Sequence, residues 1–366
     1  MTPLEEMALL LRPAGGGIHL VSTGKAEQLA LQRALYGAAD GAEVERRWRD
    51  DLALAFSARA VLLGIPSDVG AGFRRGANLA PAAIRARLLA DDPRWPERSR
   101  ASGLVDLGDV LCVPQLLHDD MLSDAQRAAS RGALYPRIAE DVRARLPVSP
   151  LSMAERALSL VLAANPSAKV LALGGDHSAA CPVVSALSRA APGLGIVQID
   201  AHTDLLEERL GVRYCYGTWA FHANDLVGRG GRLVQVGTRA SGRDRSHWES
   251  TLGVRQFWAD EVLRDPGAAL DAILAHVRAS GVSRVYLSND IDGTDRSFGD
   301  ATGTPEPGGL DPEFVVALAR RLGAEVGLAG GDVMEVAPGI ASAQGGGERT
   351  VGLAARYLRE TIAAAL

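Results

Sequence analysis

The sequence has few cysteines, no long apolar run and no excess of one charge. Its three cysteines, Cys112, Cys181 and Cys215, are an odd number without metal-site spacing, so we expect free thiols. No apolar run is long enough to cross a bilayer. The net charge is −5 with both signs interspersed, which argues against a nucleic-acid-binding surface. The first residues lack the basic segment of a signal peptide. We therefore expect a cytoplasmic protein without membrane or nucleic-acid partners.

Short apolar runs alternate with helical patterns along most of the chain. Val170–Leu173 and Leu194–Ile199 are continuous apolar runs, which is typical of strands buried on both faces of a parallel sheet. Val285–Leu287 is a third such run. This alternation predicts an α/β fold with a parallel central sheet and helices on both faces. The further predicted strands are Ala60–Ile65, Val105–Asp109 and Gly231–Val236, and the predicted helices include Lys25–Leu54, Leu151–Ala164, Pro266–Arg278, Pro312–Leu322 and Thr350–Leu366.

Two segments do not fit this alternation. Residues 1–57 precede the first confident strand, and we interpret them as an N-terminal extension that packs on the main domain, 58–366, or on a partner subunit. Residues 112–151 form an atypical insertion in which a capping-box pattern at Ser123 opens a helix. The insertion also contains His118-Asp119-Asp120, which is either a solvated loop or part of a pocket lining.

Each of the three apolar runs ends in residues that can bind metal. These residues are His177, Asp200, His202, Asp204, Asp290 and Asp292. The carboxyl ends of parallel strands meet at one edge of the sheet, and alternate residues of an extended chain share a face. Four carboxylates and two imidazoles suit two ions, and an oxygen-rich set without thiolate favours Mn²⁺, although Ni²⁺ or another divalent ion is tolerated. Such a pair activates water, and the acidic ligands favour a cationic substrate such as a guanidinium.

These motifs resemble those of the ureohydrolase (arginase/agmatinase) family. Its three signatures match Gly174–Ser178, Asp200–Asp204 and Ser288–Asp292. Ala301–Leu310 looks most like the agmatinase branch, with Glu306 after the proline, and Gly330–Pro338 resembles the last active-site segment. The resemblance runs from about Val61 to the C-terminus. It implies a three-layer arginase-like fold, two Mn²⁺ ions and a homotrimer or homohexamer.

The resemblance also implies residue roles. His177, Asp200, Asp204 and Asp290 would hold one Mn²⁺, and Asp200, His202, Asp290 and Asp292 the other, with Asp200 and Asp290 bridging. Hydroxide would attack the guanidino carbon, and Asp204 would pass its proton to the leaving amine. Glu335 matches the carboxylate that binds the guanidinium. Glu306 is a further candidate for substrate binding. The products would be urea and a primary amine.

The sequence departs from the family pattern in two places. Tyr216, in Cys215–Trp219, stands where many members carry a proton-shuttling histidine. A phenol donates a hydrogen bond well but ionises only in alkaline solution, so Tyr216 is a candidate substrate-binding or catalytic residue, and His222 is a candidate replacement shuttle. The loop Leu205–Tyr214 is not the polar loop by which arginases recognise a free amino acid. Its Glu207-Glu208 pair could meet a second cation, and a peptide-borne guanidino group is a further candidate substrate.

Two other functions compete with urea release. A formimidoylglutamase-like enzyme, from a branch that also lacks the shuttle histidine, would release formamide. A metal-loaded binding protein would keep the site without turnover. Zinc-dependent deacetylases share the broad fold, but their adjacent histidine pair is missing here. Product identity separates the enzymatic alternatives.

Overall fold

A computed structural model describes all residues, 1–366, and places nine strands in one sheet. The strands are β1 Leu11–Arg12, β2 Ala60–Ile65, β3 Leu104–Val110, β4 Lys169–Gly174, β5 Leu194–Ile199, β6 Leu233–Thr238, β7 Arg255–Trp258, β8 Arg284–Asn289 and β9 Leu328–Val333. Their order across the sheet is β1-β3-β2-β4-β9-β8-β5-β6-β7. All neighbouring pairs are parallel except β1 with β3. The predicted parallel sheet is confirmed.

Helices cover both faces of the sheet and complete a three-layer α/β fold. They are α1 Pro3–Leu10, α2 Lys25–Tyr36, α3 Gly41–Leu54, α4 Ala80–Asp91, α5 Trp95–Ala101, α6 Asp124–Leu134, α7 Glu140–Arg143, α8 Pro150–Ala164, α9 Ala180–Ala190, α10 Trp219–Val227, α11 Arg245–Leu252, α12 Ala259–Arg264, α13 Pro266–Ala279, α14 Pro312–Glu325 and α15 Gly346–Ala365. None of them is long and apolar enough to cross a membrane.

The apolar core consists of two layers, one on each face of the sheet. On β2, Val61 and Leu63 belong to one layer, while Ala60 and Leu62 belong to the other. This division follows from the alternation of side chains along a strand. Helices α1, α3, α8, α9 and α10 complete the first layer, and α4, α13, α14 and α15 complete the second. Burial on both faces explains why the strands lack a polar side.

The prediction of a single helix over Lys25–Leu54 is wrong, because the structure has two helices there. Gly37 ends α2 in the left-handed conformation, at φ 61°. Asp40 then begins α3 by accepting a hydrogen bond from the backbone N–H of Glu43. A left-handed glycine followed by an aspartate N-cap is a common way to end one helix and begin the next.

The first 57 residues pack against the sheet. Met7 and Leu10 are fully buried in the same core layer as α8 and α9. The buried Trp48 donates a hydrogen bond from Nε1 to the carbonyl oxygen of Leu107 on β3, at 2.9 Å. Strand β1 pairs with the outer edge of β3. This segment thus covers an edge of the sheet. Its assignment as an N-terminal extension, separate from the 58–366 domain, stays a prediction.

The insertion between β3 and α8 contains two helices, α6 and α7. The predicted capping box at Ser123 is present at the start of α6. Asp119 accepts hydrogen bonds from the backbone N–H groups of Val148 and Ser149, and the Tyr135 hydroxyl donates to the carbonyl oxygen of Pro147. These contacts join both ends of the insertion. Asp119 therefore stabilises the fold of the insertion itself.

Candidate metal centre

The predicted ligands follow four neighbouring strands at their carboxyl ends. The strands β4, β9, β8 and β5 are adjacent in the sheet. His177 follows β4, Asp200 follows β5, Asp290 follows β8 and Glu335 follows β9. All four residues are buried. The parallel register thus brings residues that are distant in sequence to one edge.

A shared turn shapes each of the three signatures. The first aspartate accepts a hydrogen bond from the backbone N–H two residues later: Asp176 from Ser178 at 2.9 Å, Asp200 from His202 at 2.6 Å and Asp290 from Asp292 at 2.9 Å. Aspartate side chains favour such turns. The expectation that Asp200 to Asp204 is extended is therefore wrong, because β5 ends at Ile199 and Asp204 has φ 52°.

The glycine before Asp176 is required by close backbone packing. A Cβ on Gly175 would lie 1.7 Å from the carbonyl oxygen of Ser67. The same oxygen accepts a hydrogen bond from the Asp176 N–H at 3.0 Å. Only glycine allows the two segments to come this close. The loop after β2 is thereby held against the first signature.

One group of ligands surrounds His177. Its Nδ1 lies 3.1 Å from Asp200 Oδ2, 3.4 Å from Asp204 Oδ2 and 3.0 Å from Asp290 Oδ2. This nitrogen is fully buried and makes no hydrogen bond. An unpaired buried nitrogen facing three carboxylate oxygens is the donor set that a divalent cation requires. The residues therefore fit a metal ion.

A second group surrounds His202 and shares one residue with the first. His202 Nδ1 lies 3.5 Å from Asp200 Oδ1 and 3.1 Å from Asp292 Oδ2. The two oxygens of Asp200 thus face different histidines, as a bridging carboxylate requires. Asp290 contacts only the His177 group in this way. Asp292 is oriented further by the Thr304 hydroxyl, 3.1 Å from its Oδ2.

A buried hydrogen-bond chain orients His177. Its Nε2 lies 2.9 Å from the Ser288 hydroxyl, which lies 3.0 Å from both carboxylate oxygens of Asp332. The Tyr286 hydroxyl also donates to Asp332, at 2.7 Å. With the proton on Nε2, the Nδ1 lone pair is free to bind metal. The Trp219 ring stacks on His177, with ring centroids 4.5 Å apart.

The supporting roles of Ser288 and Asp332 were not predicted from the sequence. Both lie in otherwise apolar strands, β8 and β9, and polar residues at such positions are the signal that could have revealed them. Gln198, two residues before Asp200 on β5, is a third example, because its Nε2 donates to Asp200 Oδ2 at 2.7 Å. The indole Nε1 of Trp219 donates to Asp204 Oδ2 at 3.0 Å.

The crowded carboxylates strongly perturb one another. Burial and the neighbouring charge of Asp200 raise the pKa of Asp204 well above its ordinary value, and burial with the adjacent carboxylates does the same for Asp290. Burial opposes ionisation of Asp200 too, but His177 and His202 outweigh it and hold the pKa of Asp200 well below the ordinary range. The raised pKa values of Asp204 and Asp290 mark an excess of negative charge that a cation relieves.

Glu335 lies at the same edge in a strained conformation. Its φ is 61°, which is unusual for a residue other than glycine. Its backbone N–H donates to the Gly175 carbonyl oxygen, and its Oε1 accepts the backbone N–H of His177, both at 2.9 Å. Burial and then the charge of Asp176 raise the pKa of Glu335 well above its ordinary value. A bound cation would favour the ionised form.

The remaining candidate residues lie farther out. Glu306 is half exposed, and its Oε1 is 3.9 Å from His202 Nε2. Tyr216 contacts the loop after β2, where its backbone N–H donates to the Gly70 carbonyl oxygen at 3.1 Å. His222 lies on α10, and its Nε2 is 3.0 Å from the carbonyl oxygen of Arg213. The geometry brings neither aromatic side chain into the two ligand groups.

His222 lines a separate cavity of ≈ 430 Å³. His118 and Asp120 of the insertion line the same cavity, whereas Asp119 does not. Tyr214 lies between the two imidazoles, with ring centroids 4.2 Å from His118 and 5.3 Å from His222. None of the six metal-ligand candidates lines this cavity. A shuttle role for His222 stays a prediction, and its position gives that role no support.

The model of the arginase family matches residues 58–364 of the chain. An N(1)-aminopropylagmatine ureohydrolase of Thermus thermophilus is 34% identical over 281 residues, which is 77% of this chain and 83% of the relative. A guanidinobutyrase of Pseudomonas aeruginosa is 30% identical over 288 residues, covering 76% and 79% of the two chains. The solved structure of a proclavaminate amidino hydrolase from Streptomyces clavuligerus superposes with a TM-score of 0.64 at 30% identity, covering 84% of this chain and 93% of the other.

Proposed function

The chain belongs to the arginase family, in the agmatinase branch, and from that membership we propose a binuclear manganese enzyme that hydrolyses a guanidino compound to urea and a primary amine. The relatives are named ureohydrolases, guanidinobutyrase and agmatinase, all hydrolases of amidine C–N bonds. The observation that carries the proposal is the unpaired His177 Nδ1 facing three carboxylates, one of which, Asp200, also faces His202.

Each of the two ligand groups would hold one metal ion. His177, Asp204 and Asp290 would hold one ion, His202 and Asp292 the other, and Asp200 would contact both, with Asp290 as a second proposed bridge. When bound, a pair of divalent ions supplies Lewis-acid activation of water at neutral pH. The choice of Mn²⁺ over Ni²⁺ rests on the oxygen-rich donor set.

The proposal gives Asp204 the role of moving a proton. Trp219 donates a hydrogen bond to its Oδ2 at 3.0 Å. We assign to Asp204 the acceptance of the proton of the attacking water and its transfer to the leaving amine nitrogen. The indole also keeps the carboxylate oriented, and the stacking of Trp219 on His177 excludes water from that side.

We assign to Glu335 the orientation of the guanidinium. Its Oε1 is occupied by the His177 backbone N–H, which leaves Oε2 for a charge-assisted hydrogen bond. A guanidinium held there presents its central carbon toward the ligand groups. Binding energy from this contact contributes to the correct alignment of the reacting atoms.

The test is urea release by the full-length protein reconstituted with Mn²⁺, with formamide measured in parallel. The compounds are agmatine, arginine, 4-guanidinobutyrate, 3-guanidinopropionate, guanidine, formiminoglutamate and arginine-containing peptides. We expect urea from at least one guanidino compound. Formamide without urea would favour the formimidoylglutamase-like function. Tight binding without either product would favour a binding protein.

The Asp200→Ala variant tests the metal centre. Because Asp200 contacts both ligand groups, we expect its loss to abolish urea release and to remove most bound metal. Asp260→Ala, at an exposed position on α12, is the matched control and should retain both. Undiminished urea release by a metal-stripped sample would contradict the proposal.

A further inference from the structure

A mainly apolar pocket of ≈ 340 Å³ is lined by the loop after β2 and by the loop that follows the second signature. Leu117 and Met121 of the insertion form part of its wall, and Val212 and Tyr216 form another part. Arg209 is the only charged side chain among its twelve lining residues, and none of them is acidic. The acidic pair Glu207-Glu208, which sequence analysis considered for a second cation, does not line it.

The loop Gly70–Gly72 lines this pocket and is hydrogen-bonded to the first signature. The backbone N–H of Gly70 donates to Asp176 Oδ2 at 3.0 Å, and Asp176 immediately precedes His177. A Cβ on Gly70 would lie 2.7 Å from the Ser178 hydroxyl. Cys215, another lining residue, is buried, and the loop that carries it follows Asp204 of the second signature in the chain. These contacts make the pocket the candidate site for the remainder of a linear substrate bound at the metal centre.

Arg209 is held by a tight turn. The backbone groups of Arg209 and Val212 exchange two hydrogen bonds, each 2.9 Å long. Leu210 and Gly211 between them have φ values of 52° and 78°. Positive φ at both central residues is the pattern of a type I′ turn, whose geometry is well defined. The exposed Leu210 is strained in this conformation, and such strain is often found at binding sites.

Arg209 and Tyr216 form one pair of hydrogen-bond donors. The guanidinium carbon of Arg209 is 5.0 Å from the centroid of the Tyr216 ring, and its Nη1 donates to the Tyr216 hydroxyl. Because the phenolic oxygen accepts this bond, its proton can be donated to a ligand. A guanidinium beside a hydroxyl donor is suited to a carboxylate. This pairing also gives the tyrosine a function other than proton transfer.

We propose that the preferred substrate is a linear guanidino acid whose far carboxylate binds Arg209 and the Tyr216 hydroxyl across an apolar spacer. The proposal rests on the proposed ureohydrolase function and names its substrate class. The terminal ammonium of agmatine would instead face Arg209 in a pocket without an acidic side chain. The α-ammonium of arginine would likewise find no carboxylate partner there.

The experiment compares kcat/KM for 4-guanidinobutyrate, agmatine and the neutral butylguanidine on the Mn²⁺-loaded protein. We expect 4-guanidinobutyrate to be preferred over agmatine by at least about tenfold, since a hydrogen bond to a charged group contributes on that order. Arg209→Gln should lower kcat/KM for 4-guanidinobutyrate by about 10- to 100-fold, mainly through KM, and leave butylguanidine within about twofold. Arg209→Glu should shift the preference towards agmatine.

Arg213→Gln is the matched control, because Arg213 is on the same loop but lines the cavity of His118 and His222. It should leave the preference unchanged. Preference for agmatine by the unaltered protein, or an equal loss for all three compounds in Arg209→Gln, would overturn the inference. If no compound released urea, the proposed function would fail. Calorimetry with 4-guanidinobutyrate would then still test the inference about Arg209. Weaker binding to Arg209→Gln than to the unaltered protein would support it, and equal binding would overturn it.

Discussion

At the scale of single residues, the metal centre depends on partners that never touch the metal. His177 can offer Nδ1 only because Ser288 and Asp332 hold the opposite nitrogen. Asp204 is held by Trp219, and Asp200 by Gln198. Supporting contacts of this kind fix the direction of a ligand, and their removal weakens metal binding without removing a ligand.

Ser288→Ala tests this dependence. Loss of the hydroxyl leaves the His177 ring without its hydrogen bond and leaves Asp332 with one partner fewer, so we expect Mn²⁺ affinity to fall by about 10- to 100-fold. Competition with a chelator measures the affinity. Ser67→Ala is the control, because the buried Ser67 hydroxyl has no hydrogen-bond partner. Equal affinities in the two variants would show that the chain does not orient the ligand.

Glu335→Gln tests guanidinium binding. The amide keeps the shape of the side chain but removes its charge, so we expect kcat/KM to fall by about 10- to 100-fold, mostly through KM. Metal content, measured by emission spectrometry, should stay unchanged. Glu348→Gln, at an exposed position in α15, should have no effect. A loss of metal from Glu335→Gln would instead assign Glu335 to the metal centre.

At the scale of elements, the N-terminal segment and the outer strands support the sheet far from the chemistry. Trp48 joins α3 to β3, and β1 pairs along the same strand. Arg85, fully buried on α4, forms ion pairs with Asp106 and Asp109 at the other face of β3. Strand β3 is therefore fixed from both sides. The match to the family begins only at residue 58, yet the core extends beyond it.

Trp48→Ala is expected to lower the free energy of unfolding by about 3–5 kcal/mol, the usual range for loss of a buried tryptophan. Trp48→Phe keeps most of the packing and loses the hydrogen bond to Leu107, so about 1 kcal/mol is expected. Urea denaturation followed by circular dichroism measures both. A change below about 1 kcal/mol for Trp48→Ala would mean that the N-terminal segment is dispensable for stability.

At the scale of the whole molecule, the buried carboxylates make stability depend on pH and on metal. Burial and neighbouring charges raise the pKa values of Asp204, Asp290 and Glu335, and burial raises the pKa of Asp176 to about 6. The folded protein therefore holds protons that the unfolded chain releases. The resulting stability is present below the unfolded value of about 4 and is lost as the pH rises through the folded values. The pKa of Asp200 is lowered instead, so its contribution to the free energy of unfolding is present at neutral pH and is lost only in acid.

We therefore expect the metal-free protein to lose stability as the pH rises above about 4 and through the Asp176 value of about 6, while Mn²⁺ compensates the same negative charge. The difference in Tm between Mn²⁺-loaded and chelator-treated protein should grow with pH over this range. Thermal unfolding at several pH values measures the difference. In Asp290→Asn, which removes one of the repelling charges, the dependence on pH should be weaker. A difference in Tm that is independent of pH would contradict this account.

The sequence by itself determined the features that depend on neighbours along the chain. Continuous apolar runs predicted the central strands, and the Asp-x-Asp and Asp-x-His patterns at their ends predicted metal ligands. The turn that each aspartate forms with the residue two positions later was not predicted. The α/β class and the arginase-family membership followed from these local patterns. Capping at Ser123 was likewise local and was predicted correctly.

Only the tertiary structure decided which side chains meet. The adjacency of β4, β9, β8 and β5 places Asp200 between two histidines and Ser288 against His177, although these residues are far apart in sequence. Tyr216 and His222 are only six positions apart but line different pockets, because Tyr216 lies on the loop against Gly70 and His222 lies on α10. Contacts between distant segments depend on the order and register of the strands, which no local pattern encodes.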